Sequence, residues 1–477
     1  MKAWMRWSVM FLLFGAPLLA SAQESALEAQ MRGERDRVSD ACGTLSFRSV
    51  PGCAYTLFTD HPLHIAAGSM PPQNGFGFGA AFVWSKNTKN WRMSWDIDAV
   101  GATSAAWRAG AYMKLVHTPH PATNPIKVII PGQTSDGQGT AKPAESFTHP
   151  YTVFDFYVQP ISLNQLNFFG LGNDTPLTGK SMFGMSETIV GGSAIKPVFE
   201  WAAIRGLHLA LLGEINGRFV GIRADNGQSV PSIGTVYTEA TAPGLSNQPG
   251  FVQLGEGVRI EPMVGNFELN YLAKFQQFFA PSNSRDSFLR WTLDLNHTYY
   301  LHGYSRSGAA SAETLGPDSC APTGEPCAPI PHTRNVSGSI GVRLLLSESI
   351  YSATSVVPFY FQQTLGGQDI DSALALGSYQ DYRFRAPNLL LFQEKLEHSI
   401  WGPFGIKLTA DQGRVALTHG DLGFSDFKHS FAAGLTLRAG GFPMVTLMYA
   451  WGGPEGQHTI ANMDTSLLGG SSRPPLY

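Results

Sequence analysis

Charge is scarce in this sequence. Asp, Glu, Lys and Arg make up 14% of its 477 residues, where soluble globular chains carry about 25%. Neither sign is in excess, with 33 Lys+Arg against 36 Asp+Glu, which argues against a basic nucleic-acid-binding chain. Past the N-terminus, no stretch approaches 18 consecutive apolar residues, so a multi-span helical membrane protein is excluded. There are only four cysteines, with no Cys-x-x-Cys and no histidine at ligand spacing, which argues against a cysteine-ligated metal site. What fills the space is glycine (52 positions) and aromatics (12%), at a mean hydropathy of −0.06. That mixture fits a large β-protein, either a secreted sandwich or propeller or an outer-membrane barrel.

The first residues point to export. Lys2 and Arg6 precede an apolar stretch from Val9 to Leu19, and Ala20-Ser21-Ala22 supplies small residues before Gln23. This is the pattern of a secretory signal peptide over 1–22, too short in its apolar part to span a bilayer. The cysteines fit an oxidising compartment. Cys42, Cys53, Cys320 and Cys327 allow three pairings, and the two local ones are favoured because each pair brackets a turn-like segment containing Pro and Gly.

Several segments alternate with period two, the mark of a strand with two unlike faces. Trp91, Met93, Trp95, Ile97 and Ala99 oppose Arg92, Ser94, Asp96 and Asp98. Phe404, Ile406, Leu408 and Ala410 oppose Gly405, Lys407, Thr409 and Asp411. Val445, Leu447, Tyr449 and Trp451 form a further stripe. These runs reach about 10–14 residues, longer than the usual strand and long enough to cross a membrane at a tilt. Aromatics gather near strand ends, as an interfacial girdle requires. The expectation is an all-β, transmembrane antiparallel β-barrel of about 16 strands occupying 76–477, preceded by a short segment or plug over 23–75.

The predicted strands are 76–85, 91–100, 106–117, 152–162, 184–196, 206–216, 250–262, 266–280, 286–302, 333–347, 353–364, 388–399, 403–411, 428–439, 443–452 and 458–468. In the second half this leaves 303–332, 365–387 and 412–427 as long loops on one side, with short turns on the other. In the first half the long connections 163–183 and 217–249 fall on the short-turn side, against the expected asymmetry.

Two groups of residues carry a family resemblance. Asn167-Phe168-Phe169-Gly170-Leu171-Gly172-Asn173-Asp174 is one. The other lies within 365–415: Leu365-Gly366-Gly367, then Leu376-Gly377-Ser378-Tyr379-Gln380-Asp381-Tyr382-Arg383-Phe384-Arg385, then Asp411-Gln412-Gly413-Arg414-Val415. Together they resemble the bacterial surface antigen barrel of the outer-membrane assembly-factor and two-partner-secretion superfamily, over about Gly75 to the end. The resemblance implies a loop folded into the barrel lumen, latched by an arginine on inward carboxylates. On this reading the latch comprises Tyr379, Arg383, Phe384, Arg385 and Asp411, with Asp411 the partner of the arginines. Two departures stand out. The family's Leu-Arg-Gly-aromatic run reads Leu376-Gly377-Ser378-Tyr379, so its principal arginine is absent. Lys395 and Glu397 also carry charges in the reverse order. The family's periplasmic polypeptide-transport-associated repeats do not fit in 23–75.

The remaining motifs are weak. Gly172 to Lys180-Ser181 has Asp174 where a phosphate-binding loop needs glycine. The pairs His61/His64 and His117/His120 have no third metal ligand nearby. His297 has outward parity but no serine partner, and Gly-x-Ser-x-Gly and His-Glu-x-x-His are absent. The sequence thus predicts a non-enzymatic barrel in the bacterial outer membrane, without cofactor or metal. It would assist insertion or translocation of polypeptide or lipid by a seam between 76–85 and 458–468. Its expected partners are outer-membrane lipids, a periplasmic delivery protein and unfolded barrel substrates, and not nucleic acid. The alternatives are a gated passive pore for small solutes and, more distantly, an outer-membrane enzyme.

Overall fold

The computed structural model describes residues 62–117 and 152–463, apart from 306–332 and some shorter internal stretches. The signal peptide, most of 23–75, and Cys42, Cys53, Cys320 and Cys327 lie outside the described residues.

The described chain is a meander of antiparallel strands, each paired with its neighbours in sequence. Sixteen form the wall. They are β1 (Leu63–Ser69), β2 (Phe76–Asn87), β3 (Trp91–Ala102), β4 (Trp107–His117), β5 (Thr152–Phe168), β6 (Ser181–Trp201), β7 (Leu207–Arg223) and β8 (Phe251–Ile260, resumed at Met263–Val264). The second half comprises β9 (Phe267–Phe279), β10 (Phe288–Tyr300), β11 (Gly338–Ile350), β12 (Asn388–Trp401), β13 (Phe404–Ala416), β14 (Lys428–Ala439), β15 (Phe442–Gly453) and β16 (Gly456–Met463). β1 and β16 approach one another, yet no ladder joins them among the described residues, whereas β1 is paired along its length with β2 and β16 with β15. The barrel is therefore nearly closed, with a seam at its first and last strands. Among the described residues helix is confined to single turns, and none is long and apolar enough to cross a membrane.

The alternation sorts the two faces as the sequence suggests. Ile97, Leu408 and Leu447 are exposed outward, whereas Asp96, Asp98 and Asp411 are buried inward. Inward polar groups satisfy one another. Tyr112 donates to Gln159 (2.7 Å), Tyr157 to Asn216 (2.6 Å), and Arg218 pairs with Glu187 at 2.9 Å. Lys274 meets Glu214 at 3.0 Å, and Arg343 meets Asp294 at 2.8 Å. Outward aromatic pairs mark the rims, with Trp84 stacked on Trp95 and Trp401 on Phe404.

Two expected elements are wrong, and their errors cancel in the strand count. β1 lies inside the segment expected to precede the barrel, so the wall begins at Leu63 rather than at 76. Its Leu-His-Ile-Ala-Ala-Gly-Ser run is short, and its small residues carry no clear alternation. Conversely, 353–364 is not a wall strand. It carries a 3-10 turn at Phe359–Phe361, all three residues buried. Its run Val356-Val357-Pro358-Phe359-Tyr360-Phe361 is apolar throughout, and proline cannot donate to a ladder. It packs inside the barrel, with Phe359 against Phe168 and Phe183 and Phe361 against Phe251.

These corrections reverse the side of every connection between them. The connections after β5, β7, β11 and β13 all emerge at one end, the cap end, which brings the two long first-half connections 163–183 and 217–249 to the side of the later ones. The β10–β11 connection, expected beside 365–387, joins its strands at the other end, as does the connection between β4 and β5.

Candidate functional site

The loop 351–387 turns back into the lumen, and the sequence shows how the chain makes that turn. After a short ladder between Gln363–Leu365 and Phe384–Ala386, Gly366 and Gly367 take φ of 102° and 60°, a region open to glycine at little cost. A Cβ on Gly367 would lie 2.7 Å from the Asp381 Cα. Main-chain bonds then close the loop on itself: Tyr382 N–H to Gly366 O (3.0 Å) and Ala375 N–H to Gly367 O (2.9 Å).

The loop is fixed to the wall mainly through its backbone. The Leu376 N–H donates to Asp411 Oδ2 on β13 (2.9 Å), and the Ser378 N–H donates to Ser430 Oγ on β14 (2.9 Å). Gln393 of β12 donates both to Leu374 O and to Asp411 Oδ1, each at 3.0 Å. Gly377, standing where the resembled family has arginine, is packed closely against the wall. A Cβ there would lie 2.9 Å from Ile460 Cδ1 and 3.2 Å from the Ala450 Cβ. Close approach of the backbone to β15 and β16 replaces the missing side chain.

Arg383 and Arg385 bind elsewhere than expected. Neither contacts Asp411. Arg383 reaches the cap end of the barrel, where its Nε pairs with Glu455 in the β15–β16 turn and its Nη atoms donate to Thr175 Oγ1 (2.6 Å) and Thr175 O (2.5 Å). Its guanidinium lies over Phe169 and Phe384, 4.9 and 4.7 Å from their centroids. Arg383 and Glu455 are 4% and 7% exposed, so the pair is shielded from water. Arg385 donates to Phe359 O (2.7 Å), and its own carbonyl accepts from the Gly172 N–H (2.7 Å). Tyr379 is buried edge-on against Phe384. The exchanged charges Lys395 and Glu397 pair with each other at 3.2 Å.

The two groups of motif residues, about 200 positions apart, thus meet in space. The turn after β5 needs φ of 96° at Gly170 and 113° at Gly172. Asn173 caps it by donating to Asp426 O (3.1 Å), and Lys428 pairs with Asp174 at 2.8 Å. A cavity of about 310 Å³ remains between the loop and β16, lined by residues including Asn167, Met182, Gly377, Tyr379, Asp381 and Ile460. Burial raises the Asp381 carboxyl above its usual range. Burial, and then the adjacent Asp371 carboxylate, push Asp369 up to about 7.

Sequence reading missed Glu455, Thr175 and Ser430. All three are common turn or strand residues whose role appears only when remote segments meet. Among the described residues, no group of three His, Cys, Asp or Glu could hold a metal. His297 faces Tyr271 Oη at 2.6 Å rather than a serine, and His61 and His120 lie outside the described residues.

No protein-family model matches the chain, and neither does any curated protein. Among solved structures it is similar to CdiB from Acinetobacter baumannii, with a TM-score of 0.44, 10% identity and coverage of 84% of this chain and 59% of that one. It is also similar to CdiB from Escherichia coli, with a TM-score of 0.49, 10% identity and coverage of 84% and 62%. A third is BamA from Haemophilus ducreyi lacking POTRA domains 1-3, with a TM-score of 0.46, 10% identity and coverage of 84% and 69%. The chain spans about three fifths of the length of the two CdiB structures.

Proposed function

We propose that this chain is a non-enzymatic barrel of the surface antigen type, resident in the bacterial outer membrane, that assists insertion or translocation of polypeptide or lipid. The route is the seam between β1 and β16, which moves the expected first seam strand from 76–85 to Leu63–Ser69. One observation carries the reading: the lumen loop is tied at once to the lumen wall, through Asp411 and Ser430, and to the seam hairpin, through Glu455. A loop held at both places can report the state of the seam to the lumen. Outer-membrane lipids, a periplasmic delivery protein and unfolded barrel substrates are the partners this role calls for, and it needs no cofactor.

A second reading, a gated passive pore for small solutes, draws on the same loop and on the charged lumen wall at Glu187–Arg218 and Glu214–Lys274. Conductance of the purified protein in planar bilayers separates the two. Silence, together with defective barrel or lipid assembly in a depletion strain, is the expected result. Large stable openings in the intact protein that rise further on deleting 368–385, with normal assembly in the depletion strain, would favour the pore and overturn the first reading.

A further inference from the structure

Two carboxylates stand on the outside of the wall, where the alternation demands apolar groups. On β8, Leu254, Glu256 and Val258 face outward, while Gly255 between them faces in, its missing Cβ overlain by the Glu214 side chain. Glu256 is exposed, and its ladder neighbours are Gly213 and Phe275. On β12, Phe392, Glu394 and Leu396 face outward while Gln393 faces Asp411 in the lumen. Glu394 is also exposed, between Val342 and Ala410.

Following each row across the ladders gives its depth. The Glu256 row starts at Glu348, two residues from the cap end of β11. It passes Trp291 and Phe275 and finishes at Lys86, one residue from the end of β2 at the opposite rim. The Glu394 row descends from the rim aromatics Trp451 and Phe431 through Ala410, and continues past Val342 to His297 and Leu269. Both acids therefore lie between the rims, within the apolar band. Neither has a hydrogen-bond or ion partner among the described residues. Beside Glu256 the wall is notched, since a Cβ on Gly213 would meet nothing within 4 Å. An unpaired carboxylate facing hydrocarbon is costly, and such groups normally find a partner within the membrane.

We propose that the outward face from β7 to β13 docks a second membrane protein that presents lysine or arginine at the depth of Glu256 and Glu394. Charge decides the occupant. A two-fold axis along the membrane normal keeps depth and reverses strand order. A dimer burying both acids would centre on β10, midway between β8 and β12, and would set Glu256 of one copy against Glu394 of the other. A basic partner neutralises both, and the hydrogen-bonded Tyr271–His297 pair between them adds polar contacts. This inference rests on the barrel's lying in a bilayer and not on the lumen loop, so it can fail while the seam reading stands.

The test uses the full chain in phosphatidylcholine vesicles with a synthetic Leu/Ala transmembrane helix bearing one central lysine, and twins bearing leucine or glutamate instead. Energy transfer between labelled barrel and helix reads association, and heat-modified migration on gels verifies folding. The lysine helix should bind at least about tenfold more tightly than the leucine twin. The double variant Glu256→Gln/Glu394→Gln should lose that preference while staying folded. Equal association of the three helices, as for a face that meets only lipid, would overturn the proposal. So would a lysine preference that survives the double substitution, or barrel self-association that outcompetes the helix.

Discussion

At the scale of single residues, the most consequential contact is Arg383 with Glu455. Both are buried, so removing one partner strands the other charge, at a cost of roughly 3–5 kcal/mol. Arg383→Ala and Glu455→Ala should each lower the temperature at which the barrel loses its compact migration on gels, and the double variant should lose much less than the sum. Arg383 and Asp411 share no partner, so their alanine variants should add to within about 0.5 kcal/mol. Strong coupling between those two would restore the pairing that parity alone suggested.

Asp369 makes a pH prediction. Burial and Asp371 raise its carboxyl in the seated loop to about 7, from an ordinary value of 3.8. The seated loop then holds a proton that a released, hydrated loop gives up. Its seating is strongest below about pH 4, weakens as pH rises toward 7, and is level above that. Limited proteolysis within 368–385 should therefore be faster at pH 7.5 than at pH 5, and Asp369→Asn should reduce the difference, with Asp381, also raised by burial, supplying the rest.

At the scale of elements, the loop's path depends on backbone freedom and close approach. Gly367→Ala puts a side chain in the left-handed region, costing about 1–2 kcal/mol, and drives its Cβ into Asp381. Gly377→Arg would supply the residue the resembled family carries, but against Ile460 and Ala450. Both variants should unseat the loop, read as faster cleavage within 368–385 while the barrel keeps its folded migration. A Gly377→Arg protein as protected as the parent would mean that the wall opens to accept it.

At the scale of the whole molecule, the corrected topology can be checked by labelling. With 224–250 and 417–427 at the same end, Thr238→Cys and Ser425→Cys should react alike with an impermeant maleimide on intact cells. Thr88→Cys, at the other end, should behave in the opposite way. Opposite behaviour of Thr238 and Ser425 would mean that an odd number of strand assignments between them is wrong.

Much of the barrel was legible in the sequence because a wall between lipid and water imposes a two-residue period that any strand must print. Ile97 against Asp98 and Leu408 against Asp411 follow from parity alone. Two segments were less legible. β1 has too little contrast between faces to show its period, and 353–364 is a buried cap segment whose uniform apolarity resembles a strand.

What the sequence determined by itself is the barrel, most of its faces and the segments that make the lumen loop, because each follows from local alternation or from glycines at fixed turns. The tertiary structure alone decided which end each loop occupies, that Arg383 meets Glu455 rather than Asp411, and that Gly377 lies against Ile460 and Ala450. Those depend on strand count and on contacts across as many as 254 positions, as from Lys428 to Asp174. Distances of that kind are set by closure of the whole wall, not by neighbouring residues.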